Sequence, residues 1–104
     1  MKRSILQVAK VVRSKNAGPF ELTLDILFKR RRDFDYFRRR KIISQRQIAA
    51  LYKIPASDVL KIIYFEPADA IKITLRRRVP SGAPGDSDIY GAQQHAPLLG
   101  LAFT

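Results

Sequence analysis

Phe20, Leu22, Leu24, Ile26 and Phe28 alternate with Glu21, Thr23, Asp25 and Leu27. This period of two predicts a strand with one face turned towards a core. The alternation recurs where Ile71, Ile73 and Leu75 are interleaved with Lys72, Thr74 and Arg76. Ahead of the first segment, Ser4–Val12 is rich in Ile, Leu and Val and reads as another strand. Between them, Arg13-Ser14-Lys15-Asn16-Ala17-Gly18-Pro19 is a cluster of turn formers, and it predicts a hairpin with a long polar loop. Lys61–Phe65 is a short apolar strand, and Pro67-Ala68-Asp69 turns it into the second alternating segment as a second hairpin.

Between the two hairpins the period changes. Phe34 and Phe37 lie one turn apart and predict a helix over Asp33–Arg40. Ser44 and Gln47 form an S-x-x-Q capping box ahead of Ile48, Leu51 and Tyr52, and Pro55 closes this second helix. Val79–Ala96 has no period and contains Pro80, Gly82, Pro84, Gly85 and Gly91; loops of this length are functional or disordered. Leu99, Leu101 and Phe103 alternate as a last strand. The order β-β-α-α-β-β-loop-β predicts an α+β two-layer sandwich, with a mostly antiparallel sheet of four or five strands and both helices on one face. Leu27 lies on the otherwise polar side of its strand, so a partner or a second copy is expected to cover the sheet's other face.

Length and composition narrow the class. The 104 residues read as one domain, 1–104, long enough for one modest core, and 46% of them are hydrophobic. There is no cysteine, which excludes a disulfide scaffold and cysteine-based metal or redox chemistry. Gln7 and Lys10 interrupt the N-terminal apolar run, and no stretch approaches the roughly 20 apolar residues of a membrane helix. A soluble, cytoplasmic protein without membrane association is expected.

The formal net charge of +11 adds the prospect of an anionic partner. The run Lys29–Lys41 is its densest part. There, arginines alternate with Phe34, Tyr36 and Phe37, the composition used to bind RNA or single-stranded DNA. On a helix the same residues make a buried aromatic face and a solvated basic one, and no nucleic-acid-binding motif accompanies them.

Two polar segments are candidates for chemistry. In the first, Arg13 and Lys15 flank a glycine-containing turn with Ser14, Asn16 and Gly18, whose N–H groups suit a carboxylate or phosphate. The alternative is a hairpin turn in which Asn16 and Gly18 supply positive φ. The second, Ser81–His95, holds Asp86, Asp88, Tyr90, Gln93, Gln94 and the single histidine, His95. His95 is a candidate general base oriented by Asp86 or Asp88; the alternative is an ordered loop in which these groups cap turns. No phosphate-binding glycine motif and no standard metal spacing occurs, so neither cofactor nor metal is expected.

Val12–Phe20, Leu22–Asp25, Ala70–Thr74, Ser81–Asp86 and Tyr90–Leu99 together resemble a small bacterial domain of unknown function. That family is similar to the ferredoxin-like C-terminal domain of acyclic terpene utilisation proteins, encoded beside or fused to their large domain. The resemblance implies a small subunit or accessory domain of a larger catabolic enzyme, acting on an acyl-CoA or hydroxy-acid substrate. The large acyclic-terpene-utilisation-type protein would be the partner, and the two polar segments would belong to a shared site. It leaves the basic character of Lys29–Lys41 outside what the family shares. Two other readings stand beside it: a nucleic-acid-binding module using 29–41, and a self-sufficient small lyase or isomerase with His95 as base.

Overall fold

A computed structural model of the chain describes residues 2–77 and 96–104. Strand β1 (Arg3–Ser4) leads into a single helical turn, α1 (Ile5–Val8). Ser4 Oγ accepts from the N–H of Leu6 at 3.2 Å, while the Ser4 N–H donates to Gln7 Oε1 at 2.8 Å. This is a reciprocal capping box, and it converts the first half of the predicted Ser4–Val12 strand into a helix. Strand β2 (Ala9–Asn16) and β3 (Glu21–Phe28) then form an antiparallel hairpin. The predicted loop at 13–19 shrinks accordingly. Arg13, Ser14, Lys15 and Asn16 all belong to β2 and pair with Asp25, Leu24, Thr23 and Leu22.

Helix α2 (Arg31–Arg40) and helix α3 (Gln45–Tyr52) follow, and then the second hairpin, β4 (Val59–Phe65) with β5 (Ala70–Arg76). In the four-stranded sheet the order is β2-β3-β5-β4, with every neighbouring pair antiparallel. The protein is thus an α+β two-layer sandwich. Helices α2 and α3 follow one another between the two hairpins of this sheet. The last apolar segment is a 3₁₀ turn over Ala96–Gly100 and a short strand β6 (Ala102–Phe103) that pairs with β1, outside the main sheet. Its inward residues are Leu98, Leu101 and Phe103, and Leu99 points outward.

The core lies between the helices and one sheet face. Leu22, Leu24, Ile26 and Phe28 of β3 meet Ile71, Ile73 and Leu75 of β5, all buried. Phe34 and Phe37, on one face of α2, are 0% exposed. The Phe37 ring packs edge-on against Phe28 and Phe103, with centroids 4.8 and 4.6 Å apart. Phe20, expected to begin the inward series, stands before the strand and is 56% exposed. Ser44 Oγ accepts from the Gln47 N–H at 3.2 Å and starts α3. Both α2 and α3 end on a lysine in the left-handed region, Lys41 and Lys53, at φ 49° and 55°. No helix of the described residues is long and apolar enough to cross a membrane.

Candidate functional site

Strand geometry divides the first polar segment between two faces. Residues that pair across antiparallel strands share a face. Ser14 and Asn16, opposite Leu24 and Leu22, lie on the core side; Ser14 is 7% exposed. Arg13 and Lys15, opposite Asp25 and Thr23, lie on the other side and are exposed. The cations and the Ser–Asn pair therefore cannot surround one ligand from a single loop. Of the two residues expected to take positive φ, only Gly18 does so, at 111°, in the short turn Ala17–Phe20.

The core-side half has a definite neighbour. Arg77, which follows β5, donates its backbone N–H to the Phe20 carbonyl at 2.6 Å, and its guanidinium is hydrogen-bonded to Asn16 Oδ1. The end of β5 is thereby tied to the turn of the first hairpin. Asp86, Asp88, Tyr90, Gln93, Gln94 and His95 lie outside the described residues. Where the chain resumes, Leu98 is fully buried and its backbone is hydrogen-bonded to Tyr52.

The opposite face of the sheet carries a set of residues that composition alone does not bring together. Across β2, β3, β5 and β4, one row reads Arg13, Asp25, Lys72, Ile63. The next reads Lys15, Thr23, Thr74, Lys61, and beyond it Glu21 pairs with Arg76. Towards the other end lie Val11, Leu27, Ala70 and Phe65. Val11, Ile63 and Phe65 are 37, 41 and 41% exposed. Asp25, at the centre, is 6% exposed beneath its long neighbours. Its Oδ2 accepts from Arg13 Nε at 3.1 Å, and among the described residues its buried Oδ1 has no hydrogen-bond partner. A carboxylate oxygen shut away from water without a donor is costly, and here it sits on a side chain held at the middle of an open face. The Lys72 ammonium lies 5.3 Å from the centroid of the Phe65 ring, so that ring is already occupied by a cation.

The basic run divides differently from the expected solvated face. Arg31 forms ion pairs with Asp35, Glu66 and Asp69, at 3.4, 3.5 and 3.0 Å, and Arg38 is paired with Asp35 and Glu66. Together they clamp α2 to the turn that joins β4 to β5. Arg40 lies over Tyr36 and Arg38 over Phe34, at 5.3 and 5.8 Å. Lys29, Arg30, Arg32, Arg39 and Lys41 are exposed. A shallow cavity of about 220 Å³ lies along the edge of β4, lined by Gln45 and residues 59–62. The Gln45 amide donates to the carbonyls of Ala56 and Val59 there, which caps part of that sheet edge. Among the described residues no three His, Asp or Glu side chains come together as a metal-binding group.

Comparison with known proteins adds a family. A model described as a domain of unknown function (DUF4387) matches residues 5–102. No curated protein and no solved structure matches the chain.

Proposed function

The chain belongs to the DUF4387 family, and from that premise we propose that it is a small subunit or accessory domain of a larger catabolic enzyme acting on an acyl-CoA or hydroxy-acid substrate. The partner in this reading is a large acyclic-terpene-utilisation-type protein, and the two polar segments complete its site. One observation supports the reading: the Arg77 contacts with Asn16 and Phe20 hold the end of β5 beside the first hairpin turn. In this reading the first segment supplies the exposed ammonium of Lys15, with Arg13 beside it bonded to Asp25, and the second supplies carboxylates, amides and the imidazole of His95. That mixture suits a ligand carrying a carboxylate or phosphate.

The arrangement of Arg31 and Arg38 supports this over a nucleic-acid-binding helix. Guanidinium groups already paired with Asp35, Glu66 and Asp69 are poor partners for phosphate. Reconstitution tests the reading. The chain is mixed with the large protein, and turnover of hydroxyacyl-CoA substrates is measured with and without it. Addition of the chain is expected to raise turnover, and His95→Ala is expected to abolish the gain without moving the thermal midpoint of the isolated chain. Equal turnover with and without the chain would overturn the proposal.

A further inference from the structure

We propose that the open face of the sheet is a docking surface for an acidic protein partner, which seats its apolar residues on Val11, Leu27, Ile63 and Phe65 and its carboxylates opposite Lys15, Lys61 and Lys72. The inference rests on the subunit reading above and says which side of the molecule the larger protein covers. No described element packs on this face, although it carries three of the exposed large hydrophobic side chains, Val11, Ile63 and Phe65. Apolar side chains grouped beside charged ones are the composition of an interface core with its rim.

Charge selects the occupant. Arg13, Lys15, Lys61, Lys72 and Arg76 share the face with only Asp25 and Glu21. A second copy would bring these cations against themselves, in a chain already carrying +11. Nucleic acid fits poorly too. Sheets that bind single strands stack bases on aromatic rings of their central strands. Here the central strands present Thr23, Asp25, Leu27, Ala70, Lys72 and Thr74, and a buried carboxylate sits where a phosphate would approach. A protein surface meets each of these features. Its carboxylates face the lysines, and its apolar groups cover the far end.

The test uses the whole chain with its Leu, Ile and Val methyl groups labelled for NMR. On titration with the large acyclic-terpene-utilisation-type protein, the Val11, Leu27 and Ile63 methyls are expected to shift or broaden first, while Leu6 and Leu51 on the helical side stay unmoved. A variant combining Lys61→Glu with Lys72→Glu, confirmed folded by an unchanged thermal midpoint, is expected to bind at least about tenfold more weakly. Arg32→Glu with Arg39→Glu on α2 is expected to stay within about threefold of wild type, because α2 lies on the other layer. Binding that perturbs the helical side, or that ignores Lys61 and Lys72, overturns the docking face and leaves the partnership standing. If the large protein does not bind at all, the partnership fails, and poly-L-glutamate at low salt then decides the face. Shifts at Val11, Leu27 and Ile63 support it. It is overturned by shifts at Leu6 and Leu51, by tighter binding of poly-U RNA at the same methyls, or by a concentration-dependent dimer.

Discussion

Asp25 shows how one side chain combines two demands. Its place in the alternation puts it on the side away from the helices, yet it is nearly as buried as the core residues beside it. Arg13 is bonded to it and remains 61% exposed at its side chain, so the pair is a shielded surface bridge. Removing Arg13 lets water reach the carboxylate, which limits the damage. Arg13→Ala is expected to cost about 1 kcal/mol in urea unfolding, and a double-mutant cycle with Asp25→Asn should recover most of it as coupling. Coupling near zero would mean that Lys72 or solvent serves Asp25 equally well. Tyr52 offers a test by pH. Burial pushes its phenol above the ordinary value, and it does the same to Tyr64. Unfolded tyrosine gives up its proton near pH 10, while the folded chain still holds it, so the unfolded state binds fewer protons above that pH. The stability these phenols contribute is fully present below about pH 10 and falls as pH rises beyond it. Tyr52→Phe is expected to flatten that alkaline decline, with a pH-independent loss of about 1 kcal/mol for the hydrogen bond to Leu98. Urea midpoints from pH 7 to 11 measure both.

At the scale of elements, the caps explain where reading by period succeeds and where it misses. Ser44 and Gln47 start α3 where the S-x-x-Q pattern puts them. The same pattern occurs at Ser4 and Gln7, but the β-branched content of the segment outweighs it in a reading by composition. A local signal for α1 was therefore present in the chain. The ends of α2 and α3 lack the usual glycine. Lys41 and Lys53 take left-handed φ instead, which strains a residue with a Cβ. The backbone N–H of Lys53 still closes the helix onto the carbonyls of Ala49 and Ala50. Lys53→Gly is expected to keep those bonds, relieve the strain and raise stability by about 0.5–1 kcal/mol, read from the thermal midpoint. A loss of stability would show that the lysine side chain contributes more than its backbone strain costs.

For the whole molecule, the aromatic cluster joins all the layers. Phe28 comes from the sheet, Phe34 and Phe37 from α2, and Phe103 from the C-terminal strand, with rings in edge contact. Phe37 touches two of the others and is wholly buried. Phe37→Ala is expected to cost about 3–5 kcal/mol. That is a large part of the roughly 5–15 kcal/mol by which a domain is stable. Urea unfolding would measure the loss, and a loss under about 1 kcal/mol would mean that the cluster collapses to fill the space.

The sequence by itself determined the class of fold, because a period of two at Leu22–Phe28 and Ile71–Leu75, and a helical spacing at Phe34 and Phe37, are enforced by backbone geometry within each segment. It also marked out Arg13, Lys15 and the anomalous Leu27. Only the tertiary structure decided what these residues face. Whether Asn16 belongs to a loop or a strand depends on Leu22 across the hairpin, and whether Arg31 and Arg38 are ion-paired depends on Glu66, distant in the chain. The alignment of Lys15, Thr23, Thr74 and Lys61 in one row is a matter of strand register. The turns set the register within each hairpin, but the pairing of Thr23 with Thr74 joins strands far apart in the chain, and no local pattern encodes it.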